Sequence, residues 1–420
     1  MLAYPILLLL AVVGTGGTST KSSPHASRNA DSGVLGLSID AEINLSRLSN
    51  VVAADIARAA HFKSHGQGKK RESRHRGKRQ SVAISATNSA VSFTSRVKFG
   101  DPATEYTLLI DSGSSNTFVG LKKEYSATNS SHATGKTVSV TYGSGKFSGP
   151  EYTDRVDLGN NLVITTQRIA GVNHSSGFDG SFDGILGIGP TDLTQGTVSG
   201  SSEEIPTILD NLFAQKTIGA KVIGMSLPPF PSNTPGSITF GGADSSKYKG
   251  ELAYTNLTKT DPAKDYWGID QSIRYGDSTI LKLTSGIVDS GSTMILLAPD
   301  AFNAYKQATG ATLDDKTKLL KLPKDQYSKL QPLKFTIGGV DYTLNADAQL
   351  FPCSLNKALG GDNDSIYLVV NNLGENSVDG LSFINGYSFM ERFYTVYDAA
   401  NSKIGLATTE YTDSEGNCKA

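Results

Sequence analysis

From about Val82 onward the chain alternates short apolar stretches with clusters of Gly, Asn, Asp and Ser. Tyr106-Thr107-Leu108-Leu109-Ile110, Val138-Ser139-Val140-Thr141-Tyr142 and Gly236-Ser237-Ile238-Thr239-Phe240 are each bounded in this way. Runs of that length, rich in β-branched and aromatic residues and closed by turn formers, predict strands joined by hairpins. Helical signals are few and short. The stretch 205–215 carries Pro206 at a first-turn position, and 299–308 begins on its own proline. The fold class expected is all-β.

One pattern occurs twice. Thr107-Leu108-Leu109-Ile110-Asp111-Ser112-Gly113-Ser114-Ser115 returns as Ser285-Gly286-Ile287-Val288-Asp289-Ser290-Gly291-Ser292-Thr293. Each copy is followed much later by an apolar stretch ending in glycine, Phe182-Asp183-Gly184-Ile185-Leu186-Gly187-Ile188-Gly189 and Phe383-Ile384-Asn385-Gly386. A duplicated lobe explains both. Asp and Gly are ordinary turn formers, so an Asp-Ser-Gly triplet alone means little. A third triplet, Asp31-Ser32-Gly33, lacks the preceding β-branched strand and the following Ser-Ser or Ser-Thr, and is read as a plain turn.

Length and charge add the domain plan. A chain of 420 residues exceeds one small core and suits two lobes plus removable segments. The apolar run at 2–13, ended by Gly14, Gly16 and Gly17, has the length of a secretory signal and is too short to span a bilayer. Residues 18–79 hold 12 Lys or Arg against 5 Asp or Glu, a net of +7, which leaves 27 basic and 35 acidic residues, a net of −8, for the remainder. The basic segment ends on Lys78-Arg79, a dibasic processing site. The expected plan is a signal peptide at 1–17, a basic propeptide at 18–79, an N-terminal lobe at 80–245 and a C-terminal lobe at 246–420. A cationic leader on an anionic body is held by long-range attraction that fades as carboxylates protonate. The rival reading of the leader as a nucleic-acid patch fits an exported chain with an acidic body poorly.

Each Asp loop ends a buried strand and places a carboxylate at a turn, where the glycine allows close approach. Two such carboxylates brought face to face cannot both ionise. They share a proton, so that one can act as a base toward water while the other polarises a carbonyl.

These residues resemble the pepsin-like aspartic proteases from about Val91 to Ala407. The resemblance rests on Ile110-Asp111-Ser112-Gly113-Ser114-Ser115-Asn116-Thr117-Phe118 and Val288-Asp289-Ser290-Gly291-Ser292-Thr293, with Tyr142-Gly143-Ser144-Gly145 between them, on the glycine-closed run from Phe182, and on Phe393-Tyr394-Thr395-Val396-Tyr397-Asp398. That closing run, with Trp267-Gly268-Ile269-Asp270-Gln271-Ser272-Ile273-Arg274-Tyr275, is similar to the fungal polyporopepsin type. The resemblance implies a bilobal pepsin-like fold, two related β-rich lobes with a cleft between them and a flap hairpin. It implies acid-optimal endoproteolysis, preferring apolar or aromatic residues around the cut, by a water activated between Asp111 and Asp289. Ser112 and Ser290 would cross-brace the loops, Ser114 and Ser292 would bond the outer carboxylate oxygens, and Gly113 and Gly291 would complete the turns. Tyr142, Gly143 and Ser144 would tip a flap over an extended peptide. Both loops carry Ser where the family usually has Thr, which keeps the hydroxyl and loses a methyl. Phe118 stands where Trp often follows the first loop, which bears on the contact to Tyr142.

Cys353 and Cys418, the sole cysteines, suit no metal spacing and could close one loop worth about 4 kcal/mol in an oxidising compartment. Sequons at Asn129, Asn173, Asn256 and Asn363 permit glycosylation of an exported chain. His132 and His174 lie near sequons and far from both Asp loops, and are expected at the surface. The reading is a secreted, extracellular monomer acting on protein or peptide substrates, its propeptide an intramolecular inhibitor, with no cofactor, metal, nucleic acid or membrane anchor. Two alternatives come from other classes: a protease-like fold that only binds peptides, and a glycoside hydrolase, which the near absence of Trp disfavours.

Overall fold

In a computed structural model of the chain the described residues are 34–43, 45, 48–71, 91–142, 145–178, 180–229, 232, 234–374 and 380–418. The apolar run at 2–13, Asp31-Ser32-Gly33, Lys78-Arg79, Gly143 and Ser144 lie outside them.

The two Asp loops sit in matching frameworks. Strand β1 is Leu35–Ile43, α1 is Val51–Arg71, β2 is Val91–Phe99, β3 is Thr104–Asp111, β4 is Thr117–Val119, β5 is His132–Thr141 and β6 is Lys146–Asp157. Strand β3 runs parallel to Gly184–Gly187, and β4 pairs antiparallel with that same short strand and parallel with Val163–Gly171. In the second half Ser278–Val288 runs parallel to Phe383–Asn385, while Ile295–Leu297 pairs antiparallel with it and parallel with Val370–Asn372. The internal repeat is therefore a repeat of topology. Leu108, Ile110, Ile287 and Val288 are all buried, as strands covered on both faces require. Gly187 is glycine for room, since a Cβ there would stand 2.6 Å from the backbone of Ser115.

Strands from both halves share one 14-stranded sheet, in which Phe393–Asp398 and Lys403–Thr408 join Val222–Ser226 and Gly236–Phe240. The second Asp loop hangs from a separate seven-stranded sheet. Strand β1 fills a slot in the large sheet. Its first half pairs with Gly236–Phe240 and its second half with β2.

Two helix expectations need correction. The segment 205–215 is helical only at Ile208–Ala214, because Thr207 and Asp210 form a reciprocal capping box and the helix starts behind Thr207, leaving Pro206 outside. The reading of the basic segment named no helix, and α1 runs there for 21 residues. Its buried side chains fall at Val51, Val52, Ala54, Asp55, Ala59 and Phe62, a helical stripe that meets the body. Pro299 does open a helix, Pro299–Thr309.

Cys353 and Cys418 form a disulfide with Cα atoms 5.0 Å apart. The same tail is held by the buried Asp347 carboxylate, which accepts from the backbone N–H groups of Gly416 at 2.9 Å and Asn417 at 3.0 Å.

Candidate active site

Asp111 ends β3, Asp289 directly follows the strand Ser278–Val288, and both are fully buried. In each loop the geometry is the same. The Ser114 hydroxyl donates to Asp111 Oδ2 and the Gly113 N–H to Asp111 Oδ1. The Ser292 hydroxyl donates to Asp289 Oδ2 at 2.6 Å and the Gly291 N–H to Asp289 Oδ1 at 3.3 Å. Beneath them the two loops exchange hydrogen bonds, the Ser112 N–H donating to the Ser290 hydroxyl and the Ser290 N–H to the Ser112 hydroxyl. Two carboxylates whose outer oxygens already accept fixed donors can only rotate together with their loops, so the pair is preorganised.

The space between the carboxylates is filled by a residue that sequence reasoning missed. Arg58 of α1 donates through Nη2 to Oδ1 of both Asp111 and Asp289, and through Nε to Asp289 Oδ2 at 2.6 Å. One nitrogen thus reaches an oxygen of each aspartate, which shows that the carboxylates face each other across a single atom. Burial alone would raise the Asp289 carboxyl, yet the Arg58 charge and its hydrogen bonds outweigh burial and hold it below the ordinary value. Burial likewise pulls Arg58 down, and the two aspartates more than offset it, so the guanidinium stays charged. Its carbon lies 5.0 Å from the Phe62 ring centroid, and Phe62 in turn meets Tyr266 edge-on at 4.7 Å.

The loop glycines serve the cleft more than the backbone contact expected of them. A Cβ on Gly113 would lie 2.8 Å from Asp289 Oδ1 and one on Gly291 would collide with the Arg58 guanidinium. Three residues before Arg58, the buried Asp55 carboxylate accepts from the backbone N–H groups of Thr293 at 3.0 Å and Met294 at 2.7 Å, just past the second Asp loop. Burial pushes Asp55 up to about 7 against those two donors. The apolar positions of α1 show almost no helical periodicity along its length, so nothing in the sequence set Asp55 and Arg58 apart from the other polar residues of the basic segment; only burial in the fold places them beside Val51, Ala59 and Phe62.

Tyr142 stands at the end of β5, in the connection to β6, and its N–H donates to the Gly145 carbonyl. Its ring packs among Phe118, Phe147 and Phe178, and lies 6.3 Å from the His61 ring of α1. Phe118 supplies the ring contact, and the Tyr142 hydroxyl is buried. Burial raises that phenol above its ordinary value.

Away from the cleft, Asn129, Asn173, Asn256 and Asn363 are exposed, as are His132 and His174. Among the described residues no group of three or more His, Cys, Asp or Glu could hold a metal ion, and no helix is long and apolar enough to cross a membrane. Trp267 is buried and stacks on Tyr397 at 5.1 Å, so it offers no platform for a sugar.

Two strand-borne aspartates set face to face in a bilobal β fold define an aspartic-type endopeptidase, and residues 92–409 match the eukaryotic aspartyl protease family, to which the chain belongs. Among individual proteins it is 53% identical to polyporopepsin of Irpex lacteus over 339 residues, covering 80% of this chain and 99% of that one. Rhizopuspepsin-1 of Rhizopus niveus is 32% identical over 64% of this chain and 70% of its own. The crystal structure of aspartic proteinase from Irpex lacteus superposes with a TM-score of 0.75 at 52% identity, covering 78% of this chain and 96% of that chain.

Proposed function

We propose that the chain is made as a secreted, latent precursor whose leader, residues 18–79, blocks its own cleft, and that the processed protein cuts peptide bonds in acid through Asp111 and Asp289. The observation that carries the reading is the Arg58 guanidinium seated between the two carboxylates. Once it leaves, two buried like charges at that separation share a proton. The ionised aspartate then takes a proton from a water that attacks the scissile carbonyl, and the protonated one donates to the carbonyl oxygen.

Several features support the rest. The family match begins at residue 92, beyond the leader. Tyr142 between β5 and β6, with Phe118, Phe147 and Phe178 around it, suits a flap over apolar or aromatic side chains of an extended substrate. A disulfide and four exposed sequon asparagines suit an extracellular protein. The leader ends at Lys78-Arg79, and the lobes are 80–245 and 246–420.

The test is hydrolysis of denatured globin at pH 3 to 6 by the processed protein, with and without pepstatin, beside Asp289→Asn. Acid activity abolished by both is the expected result, with kcat lowered on the order of 10³-fold or more in the variant. Activity that survives both would remove Asp111 and Asp289 from the chemistry.

A further inference from the structure

Arg58 explains why α1 points at the dyad, but it leaves a second buried charge on the same helix without a role. Asp55 is 1% exposed, and the groups facing it are the N–H donors of Thr293 and Met294, with Arg58 on its own helix and Asp289 across the cleft. Both donors lie under α1 and take no other acceptor among the described residues. A backbone N–H buried without an acceptor opposes whatever buries it. A helix laid over residues 293–294 with an apolar side chain at position 55 would therefore be repelled from its seat by two bare donors.

From this geometry we infer that Asp55 is a second anchor of the leader, a positioning residue that caps the Thr293 and Met294 amides and so holds Arg58 in register between Asp111 and Asp289. The inference rests on the reading of the leader as an inhibitor. It differs from that reading in what it needs. Arg58 requires charge, whereas the anchor requires an acceptor oxygen, because Asp55 Oδ2 alone lies within 3.0 Å of both N–H groups. An asparagine can present its carbonyl oxygen there, and an alanine cannot.

The experiment uses the full precursor carrying Lys78→Ala and Arg79→Ala, with Asp55→Ala, Asp55→Asn or Arg58→Ala added. Initial rates on a short fluorogenic peptide at pH 5 report leakage through the block, and hydrogen exchange reports protection of the Thr293 and Met294 amides. Cleavable versions of each variant, once processed, should match the wild-type kcat/KM, which checks folding. Asp55→Ala is expected to leak on the order of tenfold more than the parent and to lose amide protection. Asp55→Asn is expected to stay within about threefold and keep the protection. If Arg58→Ala leaks while Asp55→Ala stays as latent and as protected as the parent, the anchor is overturned and the inhibitory leader stands. If neither variant leaks, the leader is no inhibitor and both readings fall.

Discussion

The backbone N–H of Ser112 donates to the Ser290 hydroxyl at 3.1 Å, and the N–H of Ser290 donates to the Ser112 hydroxyl at 2.9 Å, tying together two loops 178 positions apart. Neither bond involves the γ-methyl that a threonine would add. The serines therefore brace the loops at ordinary hydrogen-bond lengths. Ser290→Ala strips the acceptor from a buried N–H and should cost about 1–3 kcal/mol. Ser112→Ala should do the same, while Ser→Thr at both positions should be tolerated. Denaturant melts of the processed protein check this; alanine variants as stable as the parent would show that the brace contributes nothing.

Latency of the precursor should have two pH limits. Asp55 is pushed up to about 7 in the docked helix from an ordinary 3.8, so docking takes up a proton; its contribution is full below 3.8 and is lost as pH rises through 7. Asp289 is lowered by Arg58 despite burial, so docking favours its ionised form and loses that contribution as pH falls into the acid range. Burial is the main cause of the rise at Asp55, with the Asp289 charge adding to it and Arg58 on the helix opposing it, while Arg58 sets the acid limit at Asp289. Because the Asp55 contribution declines progressively between 3.8 and 7, leakage of the uncleavable precursor should be lowest at about pH 4 to 5 and rise toward pH 7. Asp55→Asn should flatten the neutral limb and Arg58→Ala the acid limb. Leakage that rises steadily from pH 7 to 5 in the parent would contradict the assignment.

Behind the second loop, Asn385 Nδ2 donates to Gln271 Oε1 at 2.8 Å and Gln271 Nε2 donates to Asn385 Oδ1 at 3.2 Å, both side chains fully buried. The related position of the first lobe is the apolar Leu186. The Asn385 carbonyl also accepts the Asp289 N–H at 3.0 Å, so the amide pair lies directly behind the aspartate. Asn385→Leu leaves the Gln271 amide buried and unpaired and should cost about 1–3 kcal/mol, most of which Gln271→Leu added to it should restore. A double-mutant cycle in urea measures this. Strictly additive losses would mean that the two amides are not coupled.

The sequence by itself determined what is local. Strand length and punctuation marked Gly236–Phe240 to the residue and placed both Asp loops at strand ends. Repetition of the loop marked the pair Asp111 and Asp289, and with it the family. Tertiary structure decided what depends on a distant partner. A charge at Asp55 or Arg58 reads as one more polar residue in a basic leader until the fold sets it against Thr293, Met294 and the two aspartates. Gly113 and Gly291 read as turn glycines until the opposite loop and the Arg58 side chain show what a Cβ would strike. Gln271 and Asn385, 114 positions apart, signal nothing singly, because a buried amide has meaning only through the group that satisfies it. Periodicity reports which face is buried, and only packing reports against what.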